Sequence, residues 1–323
     1  MGCSKLSVQS PYLIYFQQGN VLNQSYGSIN ILETLFYQVD VFSDKLFGGN
    51  PLAVFLNGED FKEAQLQQVA REMNLSETTF VFPPSHPDAD FDVRIFTPSK
   101  EIPFAGHPTL GTAFVLKNTG LIPNTNNHLL LNFKTGLISV HLQDDGIIMM
   151  KTPKGKILKT FSNTKEVAES LGLQPINIEP DLPIQTVSTG FPALLVPITT
   201  LDAIKEIVID LALLEPLLKQ GKVDMIYPFS RETFDQKNSI HARGFAPFIN
   251  IPEDPGTGSV ASALGFYLYE KNPKETDIII EQGYEMERPS NIFVEIDSAE
   301  GKANEIKVGG RVRLVLKGTL YLK

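Results

Sequence analysis

The feature of this sequence that most constrains its fold is a weak internal repeat. Four short segments of the first half recur, in the same order, in the second half. The matching pairs are Gly49–Val54 with Gly190–Leu195, Phe80–Pro83 with Met225–Pro228, Arg94–Pro98 with Arg243–Pro247, and Gly106–Ala113 with Gly256–Ala263. Each match is short, but the partners stay roughly 140–150 residues apart throughout. The repeat predicts two related halves, with a ligand site in the cleft between them.

Two stretches of small and apolar residues, one in each half, predict buried helices. Thr109–Leu116 and Ser259–Leu268 are apolar on nearly every side, and each follows a turn that contains glycine. A helix without a polar face must be surrounded by protein. The strands predicted around the first helix are Tyr37–Phe42, Leu52–Leu56, Thr78–Phe82 and Phe91–Phe96. The sequence therefore predicts an α+β fold in which each half wraps a sheet around a central helix.

The length of the chain, 323 residues, is too great for one hydrophobic core and suits two domains. We expect residues 1–33 to form a disordered N-terminal tail. The repeat places the first domain at residues 34–133 and the second at 134–312. Residues 313–323 are expected to return to the first domain as a strand.

Composition excludes several classes of partner. The net charge of −9 disfavours binding to nucleic acid or to an anionic membrane surface, and no apolar run approaches the ~20 residues that span a bilayer. The only cysteine, Cys3, cannot form an internal disulfide, which fits a cytoplasmic protein. The five histidines lack a local zinc motif, and the chain has no glycine-rich phosphate loop. We therefore expect neither a metal nor an organic cofactor.

The entrances to the two predicted central helices are candidate binding positions. Gly106-His107 lies at one entrance and Gly256–Ser259 at the other. A helix N-terminus presents unpaired backbone N–H groups and the positive end of the helix dipole, and so attracts carboxylates. If both N-termini face one cleft, they predict a site for a small anionic substrate. The alternative is that these glycines only serve tight turns between strand and helix.

The acidic and basic groups near these entrances are distributed unequally between the halves. Glu77 precedes a predicted strand. The spacing between the nearest matched segments of the repeat pairs it with Lys222, so only the first half supplies a carboxylate here. Glu77 and His107 come from the first half, whereas Asp254 and Ser259 come from the second. This asymmetry favours proton movement on one substrate. The alternative is that Glu77 is a solvated surface charge and that Asp254 belongs to an ordinary turn.

The motifs resemble those of the PhzF-like family of phenazine biosynthesis. The resembling segments are Val39–Phe42, Gly48–Phe55, Asn74–Val81, Arg94–Pro98, Pro103–Ala113 and Glu253–Ser259. The resemblance implies the diaminopimelate-epimerase-like fold, in which two pseudo-symmetric α+β domains each form a β-barrel-like sheet around a central helix. It also implies a homodimer with its site between the two domains of each chain.

The resemblance further implies a cofactor-independent isomerase. The phenazine enzyme of the family moves a proton on a dihydro-hydroxyanthranilate with one glutamate, which matches Glu77, and its other site residues match His107, Asp254 and Ser259. The residues expected to bind a carboxylate-bearing substrate are Asn50, Gly106, Gly256, Thr257 and Gly258. The family often has alanine where Gly256 stands, a departure that we expect to be harmless.

Two other functions stay open from the sequence. A racemase or epimerase of an amino-acid derivative needs two opposed acid/base groups. No cysteine occupies the positions that diaminopimelate epimerase uses, so Lys222 or Asp254 would have to supply the second group. The other alternative is a small-molecule-binding protein that keeps the pocket without turnover. The sequence does not identify the substrate.

Overall fold

A computed structural model describes residues 32–123, 125–299 and 301–322 of the chain. The strands in these residues are β1 (Leu32–Val41), β2 (Asn50–Phe55), β3 (Glu77–Phe82), β4 (Phe91–Phe96), β5 (Glu101–Ile102), β6 (His128–Phe133), β7 (Gly136–Leu142), β8 (Ile148–Lys151), β9 (Lys156–Phe161), β10 (Ile184–Ser188), β11 (Pro192–Pro197), β12 (Met225–Ser230), β13 (Ile240–Ala242), β14 (Gly244–Ala246), β15 (Ile251–Asp254), β16 (Asp277–Gln282), β17 (Ser290–Ala299), β18 (Lys302–Gly310) and β19 (Val312–Leu322). The α-helices are α1 (Glu63–Met73), α2 (Gly106–Asn118), α3 (Thr164–Ser170), α4 (Leu201–Lys205), α5 (Leu211–Gly221) and α6 (Gly258–Lys271). The predicted α+β class is confirmed.

The strands form two curved runs joined at one seam. The first run is β19–β1–β2–β3–β4–β6–β7–β8, and the second is β18–β17–β16–β13–β12–β11–β10–β9. Antiparallel pairing of β8 with β18 joins them. Each run contains two parallel pairs in corresponding places, β2–β3 and β4–β6 in the first run and β11–β12 and β13–β16 in the second.

The limits of the predicted domains can be set beside these pairings. The C-terminal strand β19 pairs with β1 in the first run. The expected boundary after residue 133 falls between β6 and β7, which pair with each other. The expected tail, residues 1–33, lies outside the described residues except for its last two, which begin β1. The division into two domains stays a prediction.

The two central helices were predicted from their apolar composition and are confirmed as buried elements. Helix α2 contacts β1, β2, β3, β7, β8 and β19, so strands from both ends of the first run surround it. Helix α6 contacts β10, β11, β17 and β18 of the second run. Both helices begin at a glycine, Gly106 in α2 and Gly258 in α6. The first turns of the two helices therefore mark the places where a ligand could meet open backbone N–H groups.

The repeat recurs in side-chain packing. The guanidinium of Arg94 lies 5.1 Å from the ring centre of Phe96. In the second half the guanidinium of Arg243 lies 4.8 Å from the ring centre of Phe245. The same cation–π contact, with the same spacing of two residues, thus occurs in both halves. It supports the matching of these two segments in the sequence.

The structure corrects one pairing of the repeat. The C-cap residues that follow helices α1 and α5 are Asn74 and Lys222, both in the left-handed conformation, with φ of 50° and 53°. Three residues later β3 begins at Glu77 and β12 begins at Met225. The counterpart of Glu77 is therefore Met225, and the prediction of Lys222 was wrong. The match of Phe80–Pro83 with Met225–Pro228, from which that prediction followed, is displaced by three residues. The second half still offers no acid or base at this position, because its residue is a buried methionine.

No helix in the described part of the chain is both long enough and apolar enough to cross a membrane.

Candidate active site

The first pair of groups in the site is Glu77 with His107. Glu77 is the first residue of β3, and His107 is the second residue of α2. Nε2 of the imidazole lies 3.2 Å from Oε2 of the carboxyl, and the side chains are 8% and 11% exposed. Neither atom makes a hydrogen bond. Buried polar atoms without partners are rare in folded proteins, so this pair is poised to bind a third group.

Asp254 lies at the end of β15 and is held by several donors. Its Oδ1 accepts a hydrogen bond of 2.8 Å from Nδ2 of Asn50, and its Oδ2 accepts one from the hydroxyl of Thr257. Nδ2 of Asn50 also donates to the carbonyl oxygen of Gly256 at 3.0 Å. The hydroxyl of Ser76 donates to Oδ1 of Asn50 at 3.1 Å. Asn50 of the first half therefore connects the residue before Glu77 with Asp254 of the second half.

The electrostatics of the site separate its three titratable groups. Burial raises the pKa of Glu77 to about 7, and the charge of Asp254 adds to this shift, whereas the neighbouring Ser76 side chain opposes it. Burial lowers the pKa of His107 to about 3, so its imidazole is neutral. Burial also raises the pKa of Asp254, but the hydrogen bonds from Thr257 and Asn50 oppose that shift. Near neutral pH Glu77 therefore occurs with and without its proton, as a general acid/base requires.

The N-termini of α2 and α6 approach each other beside these groups. The N-cap residues are Ala105 and Thr257, and neither side chain caps its helix. A Cβ atom added to Gly106 would lie 3.6 Å from the backbone nitrogen of Ser259. Ser259 is half-buried at the second position of α6. The first turns of both helices thus offer uncapped N–H groups within one small region, which suits a carboxylate.

The glycines of the second entrance allow close packing against Phe42. A Cβ atom on Gly256 would lie 2.9 Å from Cδ2 of Phe42 and 2.7 Å from Oγ of Ser290. A Cβ atom on Gly258 would lie 2.8 Å from Cζ of Phe42. Phe42 itself has a φ of 69°, which is uncommon for an aromatic residue. In this chain an alanine at position 256 would overlap its neighbours, which accounts for the glycine there.

Two polar residues of the second half, Gln282 and Tyr227, complete the site and were not predicted from the sequence. Nε2 of Gln282 donates to the backbone oxygen of Asp254 at 2.7 Å. Oε1 of the same side chain accepts from the hydroxyl of Tyr227 at 2.7 Å and from the backbone N–H of Thr257 at 3.1 Å. The available signal was a polar residue at the end of an isoleucine-rich strand that reads as buried. The nine predicted site residues come together around this network, and their roles stay predictions.

No group of three or more His, Cys, Asp and Glu side chains in residues 32–123, 125–299 and 301–322 is arranged to hold a metal ion.

The raised pKa of Glu77 predicts how a variant will change stability with pH. Its folded value of about 7 exceeds the ordinary 4.5, so the free energy of unfolding decreases as pH rises between these values. Glu77→Gln mimics the protonated form. We expect the variant to gain stability over the wild type across this interval, by at most about 3 kcal/mol, and to keep a constant advantage at higher pH. Urea unfolding between about pH 5 and pH 8 measures this difference.

Glu72→Gln serves as the control, because Glu72 lies exposed on α1. Its stability relative to the wild type should not follow the same course with pH. A difference between Glu77→Gln and the wild type that stayed the same at every pH would contradict the raised pKa.

Comparison with known proteins shows the family to which this chain belongs. The model of the phenazine biosynthesis-like protein family, PhzC-PhzF, matches residues 39–318. The chain is 33% identical to antisense-enhancing sequence 1 of Schizosaccharomyces pombe, over 90% of this chain and 99% of that protein. It is 31% identical to a trans-2,3-dihydro-3-hydroxyanthranilate isomerase of Pseudomonas fluorescens, over 88% and 98% of the two chains.

A solved structure gives the same result for the fold. The crystal structure of a PhzF-family phenazine biosynthesis protein from Bacillus anthracis superposes with a TM-score of 0.83. The two sequences are 26% identical, and the match covers 90% of this chain and 99% of that one. The fold, the paired helix entrances and the matched length point the same way. This chain is an isomerase that belongs to the phenazine biosynthesis-like PhzC-PhzF family.

Proposed function

We propose that this isomerase moves a proton on a small carboxylate-bearing metabolite, without a cofactor and with Glu77 as its single general acid/base. The observation that carries the proposal is the environment of Glu77. Its carboxyl is buried, has a pKa of about 7, and faces an imidazole nitrogen that has no hydrogen-bond partner. A group that must take a proton and return it works best when its pKa lies near the working pH.

The N-termini of α2 and α6 hold the substrate carboxylate in this proposal. The side chains of their N-caps, Ala105 and Thr257, do not cap the helices, so the N–H groups of the first two residues of each helix are offered to the substrate. The positive ends of both helix dipoles add to the attraction. His107 and Asp254 orient the amino or hydroxyl group of the substrate. Glu77 then takes a proton from one carbon and delivers it to another.

The low exposure of the site gives the proton transfer a dry environment. The side chains of Glu77 and His107 are almost closed off from solvent. The substrate therefore enters when the two halves move apart and reacts when they close. Exclusion of water strengthens the electrostatic interactions inside.

The first test is Glu77→Gln, which keeps the shape of the side chain and removes the base. Trans-2,3-dihydro-3-hydroxyanthranilate is the first candidate substrate, since a relative carries that name. We expect kcat to fall by about 10²–10⁴-fold, with a small change in KM, because general acid/base catalysis contributes about that factor. Turnover in heavy water should place deuterium on a new carbon. Glu72→Gln should behave as the wild type, and undiminished turnover by Glu77→Gln would contradict the proposal.

A second candidate, an epimerase, is favoured by the position of Asp254. Its carboxyl lies near enough to raise the pKa of Glu77, so two carboxyl groups could act on one carbon. Lys222 is exposed after α5 and cannot serve as the second group. An epimerase would return deuterium from heavy water to the same carbon. Binding of amino and hydroxy acids without any exchange would instead favour a binding protein.

The variant Ala105→Ser tests where the substrate carboxylate is bound. A serine at this N-cap would direct its hydroxyl to the backbone N–H of His107, because Pro108 at the next position has no N–H. This bond should stabilise the fold by at most about 1 kcal/mol. The N–H of His107 would then be less available to the substrate. We expect KM to rise while kcat changes little, as measured by steady-state kinetics and urea unfolding.

Thr119→Ser, at the opposite end of α2, is the matched control, because a serine keeps the hydroxyl that bonds to the carbonyl oxygen of Val115. It should leave KM unchanged. An unchanged KM in Ala105→Ser, with the added stability present, would place the carboxylate elsewhere.

A further inference from the structure

Gln282, the last residue of β16, uses all four hydrogen-bonding positions of its amide within the site. Nε2 donates to the backbone oxygen of Asp254 at 2.7 Å and to the hydroxyl oxygen of Thr257 at 3.0 Å. Oε1 accepts from the hydroxyl of Tyr227 at 2.7 Å and from the backbone N–H of Thr257 at 3.1 Å. The side chain is fully buried. A buried amide with every position satisfied is held rigidly, because each bond would be costly to leave unmade.

The partners of Gln282 also fix which way its amide points. The backbone N–H of Thr257 can only donate, so it must face Oε1. The backbone carbonyl of Asp254 can only accept, so it must face Nε2. The orientation of the amide therefore follows from the chemistry of its neighbours.

The orientation of the amide determines the direction of the Thr257 hydroxyl. This hydroxyl has one proton and already accepts a hydrogen bond from Nε2 of Gln282. Its own proton is therefore directed to its other neighbour, Oδ2 of Asp254. Asp254 in turn faces Glu77 across the site.

We propose that Gln282 is a positioning residue for proton transfer, which acts through Thr257 to supply Asp254 with a hydrogen-bond donor and keeps that carboxyl an acceptor. The inference rests on the proposed function of the site. An ionised Asp254 disfavours a second negative charge on Glu77, so Gln282 influences the general acid/base without touching it.

Several other charged or titratable groups face Asp254. Glu77 approaches it from β3 and Tyr227 from β12. Glu253 precedes it in β15 and is held by two hydrogen bonds from Arg243. The test must therefore separate the effect of the Thr257 hydroxyl from that of nearby charge.

The test begins with Gln282→Glu, which keeps the shape of the side chain and replaces the donor Nε2 by an acceptor. The Thr257 hydroxyl should then turn towards the new carboxylate, and Asp254 should lose its donor. We expect kcat to fall about 10- to 100-fold. Carbon-13 NMR of labelled aspartate should show Asp254 titrating at higher pH, with the signal assigned through Asp254→Asn. Gln185→Glu is the control, since Gln185 is also a buried glutamine on a strand, but its amide donates to the hydroxyl of Thr160 on β9.

A second background separates hydrogen-bond direction from charge. Thr257→Val removes the hydroxyl and keeps the branched shape. In this background Gln282→Glu should raise the pH midpoint of the Asp254 titration by clearly less than it does in the wild type. An equal rise in both backgrounds would show a simple charge effect and overturn the proposal, as would an Asp254 titration that Gln282→Glu leaves unchanged.

If Gln282→Glu does not fold, Tyr227→Phe replaces it. This variant removes one donor to Oε1 and leaves the other. We expect Tyr227→Phe to shift the midpoint of the Asp254 titration less than Gln282→Glu does, and the shift should disappear in the Thr257→Val background. If the shifts caused by Tyr227→Phe and Thr257→Val simply add, the proposal is overturned. The NMR readout needs no substrate. A wild type that transfers no proton would thus contradict the proposed function, while the titration would still decide the role of Gln282.

Discussion

The side chain of Asn50 makes the contact on which the rest of the site depends. It is fully buried and links Ser76 of the first half with Asp254 and Gly256 of the second. Because Ser76 directly precedes Glu77, this one amide fixes the two carboxyl groups relative to each other. Removing one partner of a buried hydrogen bond costs about 1–3 kcal/mol, so the arrangement is rigid.

The distribution of donors decides which carboxyl group carries the charge. Asp254 accepts from Asn50 and Thr257, and these bonds favour its ionised form. Glu77 is equally buried and has an oxygen without any donor. Two carboxyl groups that share a poorly solvated site cannot both ionise easily. The charge therefore belongs on Asp254, and the exchangeable proton belongs on Glu77.

Much of the fold could be predicted from the sequence, because a stretch that is apolar on every side can only be a buried helix. That argument located α2 and α6, and the turns before them located His107 and Asp254. The pairing of Glu77 with Lys222 failed because the nearest matched segments, Phe80–Pro83 and Met225–Pro228, are displaced by three residues in the structure. Gln282 and Tyr227 were not predicted, since their hydrogen bonds join distant segments and leave no periodic trace in the sequence.

The most direct test of this account is the titration of Glu77 itself. Infrared spectra of the wild type minus those of Glu77→Gln, recorded across the pH range, isolate the carbonyl band of the protonated Glu77 carboxyl. The account predicts that this band disappears with a midpoint of about pH 7. A midpoint near the ordinary value of 4.5 would contradict it, because the pKa of Glu77 would then lie well below the working pH, where a group that both takes and returns a proton works best.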